Sequence, residues 1–142
     1  MANGKPIKRL HILVRIYFYW AIIITKQNRM PDIIQPDKLM AIVEGDEEFL
    51  EEMKVAQVQT LEELRESFAT HLLGGNVEPL RAAHHKAKPA IELLGAEILT
   101  EKVQEAYQLI ESNSDESTRN ALIGNMNEIT EQVMEATRNL SM

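Results

Sequence analysis

Residues 46–75 read DEEFLEEMKVAQVQTLEELRESFATHLLGG. Phe49, Leu50, Met53, Ala56, Gln57, Leu61, Leu64 and Phe68 recur at threes and fours, the spacing of one face of an α-helix. Asp46, Glu47 and Glu48 open the stretch, where carboxylates complement the positive end of a helix dipole. Gly74-Gly75 closes it. The pattern predicts a long helix from about Asp46 to Leu73, and a helix with one apolar face must bury that face against others.

Outward from it the same logic repeats. Pro36-Asp37 is a turn-like pair, and a short helix is expected from Asp37 to Val43, ending at Gly45. Asn76 is expected to cap a further helix, with Glu78 and Pro79 in a first turn where proline is tolerated. Another covers roughly Ala96–Ser112, with Ile98, Leu99, Val103, Ala106, Leu109 and Ile110 as its apolar positions. Asn113-Ser114-Asp115 breaks the chain before a last helix that turns Leu122, Met126, Ile129, Val133 and Met134 inward. Connections of two to five residues make sequential neighbours antiparallel. The expected fold is therefore all-α, an up-down four-helix bundle preceded by a short helix.

Composition agrees with that class. The chain has 142 residues, no cysteine, and 5% aromatic residues. Disulfides, cysteine nucleophiles and cysteine–zinc sites are excluded. A formal charge of −7 argues against nucleic-acid binding, which needs a basic surface.

The charge is unevenly spread. Residues 1–29 hold Lys5, Lys8, Arg9, Arg15, Lys26 and Arg29 with no acid, and four of the seven aromatics in the run Tyr17-Phe18-Tyr19-Trp20. From Met30 onward nine basic residues face twenty-two acidic ones, a net of −13. Leu10–Ile24 is the long apolar run, interrupted by His11 and Arg15, and a membrane span needs about twenty apolar residues. Three readings of this region stand: an interfacial or signal-anchor segment, an extra element packed on the domain, or a tail outside it. The third is favoured, with residues 1–29 as an extension, residues 30–142 as the domain, and membrane contact through residues 10–24 the less favoured reading. The turn-like Pro31-Asp32 pair supports a boundary there.

Two adjacent histidines lie within AHHKAKPAIELLGA, Ala83–Ala96. At about 100° per residue, Leu80, Ala83, Ala87, Ile91 and Leu94 share a core stripe. His84 falls roughly 55° from its centre and His85 roughly 155° away, so His84 is expected on the flank and His85 on the outside. Arg81 precedes His85 by one turn and Lys88 follows it by one turn. Most surface histidines carry no chemistry, so position alone does not make His85 a site. Adjacent histidines diverge too far to share a metal, and the Glu-x-x-His pairs of bundle metal sites are missing. A nucleophilic imidazole attacking a phosphoryl group, with a cation nearby to neutralise the transferring oxygens, fits His85 with Lys88.

These residues resemble the histidine-containing phosphotransfer (HPt) domains of two-component phosphorelays. That family carries Ala-His-x-x-Lys-Gly on one bundle helix, followed by Leu-Gly-Ala. Here His85 is followed by Lys88 three residues on and by Leu94-Gly95-Ala96 nine to eleven residues on. Registering on His84 breaks both offsets. Gly45-Asp46-Glu47-Glu48-Phe49-Leu50 is similar to the family's usual opening of the second helix, and the resemblance covers roughly Pro36–Leu140.

The resemblance implies a phosphorelay intermediate, a phosphocarrier and not an enzyme, acting in the cytoplasm as a monomer. By it, His85 is the phosphoacceptor and Lys88 stabilises the phosphoryl group. Arg81, Ala82, Pro89 and Glu92 would belong to the docking surface for receiver domains of response regulators or hybrid kinases. No cofactor, nucleic acid or small-molecule substrate is implied, and the magnesium belongs to the partner receiver. Pro89 stands where the family has glycine, and its ring clashes with the carbonyl of His85 at a cost of about 3 kcal/mol or a kink. It gives weight to an alternative, a non-catalytic adaptor that docks receivers without carrying phosphate.

Overall fold

The computed structural model describes residues 12–21 and 32–142, which are all-helical apart from their connections. The chain divides into two compact units, Met1–Asp32 and Ile33–Met142. In the first, residues 12–21 form α1, exposed along its whole length. Expectations for residues 1–11 and 22–31, including the boundary at Met30, lie outside the described residues.

The second unit comprises α2 (Asp37–Val43), α3 (Glu47–Gly74), α4 (Val77–Leu94), α5 (Glu97–Glu111) and α6 (Glu116–Arg138). Local chemistry sets the ends of these helices. The Asp46 carboxylate accepts from the Phe49 N–H at 3.1 Å and starts α3, and Asp115 does the same for α6 with the Thr118 N–H at 2.8 Å. Gly75 and Gly95 stop α3 and α4 in the left-handed conformation, at φ 68° and 61°. Asn76 occupies the N-cap of α4 but its side chain makes no capping hydrogen bond.

α3 packs against α4 and α6, and α5 packs against the same two helices. Their shared core holds Leu61, Leu64, Phe68 and Leu72 of α3, Leu80, Ile91 and Leu94 of α4, Leu99 and Val103 of α5, and Met126, Val133 and Met134 of α6. α2 lies on α3 and α4 and buries Leu39 and Val43. On α3 the buried stripe is Leu50, Lys54, Gln57, Leu61, Leu64, Phe68 and Leu72. Ala56, expected within it, is exposed, because the inward line at that level passes through Gln57.

Two clasps fix the ends of the site helix and its neighbours. The Gln35 N–H donates to the Leu94 carbonyl at 2.8 Å. At Gly95 a Cβ would overlap the backbone of Gln35, so both the positive φ and the close approach require glycine. At the other end, the buried Arg119 donates to the Leu72 carbonyl at 3.0 Å and to the Ser114 hydroxyl at 3.2 Å.

Candidate functional site

α4 carries the site, and its periodicity sorts the residues. Leu80, Ala87, Ala90, Ile91 and Leu94 are buried, while Arg81, Ala82, His85, Lys88, Pro89 and Glu92 are exposed. Steps of three and four residues set those six along the side of the helix opposite the core. α4 continues unbroken through Pro89 to Leu94, although proline has no N–H to offer the His85 carbonyl one turn back.

The two histidines occupy different environments. His84 is half buried and its Nε2 lies 3.4 Å from the Thr100 hydroxyl of α5. Burial pushes its pKa below the ordinary value of 6.5, and the charges of Lys88 and then His85 add to the shift. His84 is accordingly a neutral ring held between two helices. The His85 side chain is exposed and makes no hydrogen bond or ion pair among the described residues.

The cations around His85 differ in what they do. Arg81 pairs with Glu78 at 3.0 Å and lies over the Tyr107 ring, 5.7 Å from its centroid. Burial raises the Tyr107 phenol above its ordinary pKa, and Arg81 pulls it the other way. Lys86 reaches across to Glu63 of α3 at 2.9 Å. Lys88 has no anionic partner among the described residues. An ammonium one turn from an exposed imidazole, with no carboxylate attached, is available to an incoming anion.

No family model, curated protein or solved structure matches the chain. A cleft of about 70 Å³ lies between α3 and α4, lined in part by Thr60, Glu63, Ser67 and Lys86. Small-molecule sites run from about 300 Å³ upward, so this cleft is no substrate pocket. Among the described residues no group of three or more His, Asp or Glu side chains is placed to hold a metal ion.

Glu63, Thr100, Tyr107 and Glu78 are the neighbours that sequence reasoning missed. Three of them come from α3 and α5, so no spacing along α4 could reveal them. Glu78 stands three residues before Arg81, and that offset on a helix was a usable signal.

Proposed function

We propose that the chain is a phosphorelay intermediate, with Ile33–Met142 arranged as an up-down four-helix bundle that presents His85 to receiver domains. A neutral imidazole nitrogen of His85 attacks the phosphorus of a receiver's phosphoaspartate. The bond from phosphorus to the carboxyl oxygen breaks, the aspartate leaves as carboxylate, and the phosphorylated imidazolium keeps its other N–H. Lys88 balances charge on the transferring oxygens. Arg81, Ala82, Pro89 and Glu92 form the surrounding docking face. The protein supplies no cofactor, and the receiver brings the magnesium. We place the reaction in the cytoplasm.

The observation that supports this reading is the pairing of the three cations on α4. Arg81 and Lys86 are engaged with Glu78 and Glu63, while Lys88 is left open beside the one exposed imidazole of the helix. An adaptor that docks receivers without carrying phosphate is the second reading, and Pro89 favours it by putting a bulky ring beside the nucleophile.

Transfer of label from a phosphorylated receiver separates the two. A relay labels the wild type and His84→Gln but not His85→Gln, and Lys88→Ala slows transfer by about one to two orders of magnitude while Lys86→Ala does not. Labelling of His85→Gln would remove the site assignment. Receiver binding that survives His85→Gln, with no label on the wild type, would establish the adaptor.

A further inference from the structure

Helix α1 presents eight large apolar side chains to solvent. Ile12, Leu13, Val14, Ile16, Tyr17, Phe18, Tyr19 and Trp20 are between 50% and 82% exposed. A contiguous apolar surface of this kind marks a binding surface and not a solvated face. Its chemistry narrows the partner. The apolar run of which α1 is part, Leu10–Ile24, has fifteen residues with His11 and Arg15 among them, short of the twenty or so apolar residues of a membrane span. No helix among the described residues is long and apolar enough to cross a membrane. Tyr17, Tyr19 and Trp20 are the residue types that concentrate where hydrocarbon meets headgroups.

Charge supplies the second, independent observation. The six cations of residues 1–29 have no acid among them, against a net of −13 in the rest of the chain. The aliphatic half of the surface, Ile12 to Ile16, offers no rings for stacking on nucleic-acid bases, whereas it can sink among acyl chains.

We infer that α1 is an interfacial anchor that lies in the surface of an anionic bilayer, its apolar side chains among the acyl chains, with Arg15 and the cations that flank it in the sequence drawn to the headgroups. This goes beyond the relay reading and does not depend on it. The anchor tethers the rest of the chain to a membrane.

Trp20 is the chain's single tryptophan, so its emission reports this segment alone. The full chain is titrated with vesicles of phosphatidylglycerol and phosphatidylcholine in equal parts. The expected result is a blue shift of Trp20 emission with co-sedimentation, and binding to pure phosphatidylcholine at least about tenfold weaker. Arg15→Gln weakens partitioning about fivefold, the worth of one cation at an anionic surface. Phe18→Asp abolishes the shift and leaves the helical circular dichroism of the remaining chain in place. Three outcomes overturn the inference: emission unchanged by anionic vesicles, equal binding to both vesicle types, or a shift already present in buffer with a doubled molar mass. The last would assign the surface to a second copy of this chain.

Discussion

At His84, burial and the nearby Lys88 both disfavour the imidazolium, and the consequence is a pH-dependent stability with a definite sign. The folded-state pKa lies below the unfolded value of 6.5, so the unfolded chain binds the proton more tightly. The stabilisation is complete above 6.5 and is lost as pH falls from there through the folded pKa. Urea midpoints measured at about pH 7.5 and pH 5 will therefore fall on acidification, and His84→Gln will make the fall shallower. The helix period alone separates His84 from His85, but the company they keep is set by the rest of the fold. Thr100 beside His84, and Glu63 on Lys86, arrive from other helices.

At the scale of the element, α4 contains a residue that its own backbone opposes. Pro89 removes one amide from the hydrogen-bond ladder and costs about 3 kcal/mol relative to alanine inside a helix. Proline also stiffens the unfolded chain, which returns up to about 1 kcal/mol. Pro89→Ala is thus expected to raise stability by about 2 kcal/mol in urea denaturation, with the exposed side chain leaving no cavity. Helix ends were largely readable in the sequence because caps are local chemistry. Asp46, Asp115, Gly75 and Gly95 each act on neighbours within a few residues. Asn76 shows the limit, since a residue type suited to capping sits at the cap position without making the bond. Buried polar groups are the other limit. Lys54 reads as surface, yet it is 8% exposed, its stem lying along the apolar stripe of α3 while its ammonium reaches Glu51.

At the scale of the molecule, Arg119 connects elements that are far apart in the chain. Its guanidinium joins the last turn of α3 to Ser114, whose hydroxyl in turn donates to the Leu109 carbonyl at the end of α5. Arg119→Ala removes charge-assisted bonds from a buried position and is expected to cost about 2–3 kcal/mol in urea denaturation. The m-value should not change, because the surface exposed on unfolding is the same. Nothing in the sequence marks this arginine, since its partners are a main-chain carbonyl and a loop hydroxyl brought in by the fold. The clasp between Gln35 and the Leu94-Gly95 corner has an implication for the order of assembly. α2 is only seven residues long and lacks a side-chain cap, far below the length at which a helix persists alone. It can form only on a surface that α3 and α4 have already built, with its anchoring carbonyl at a corner that exists once α4 has been terminated. α2 is accordingly the last piece to settle and the first to peel away. Its departure frees the glycine corner at the end of the helix bearing His85 while the four long helices still hold.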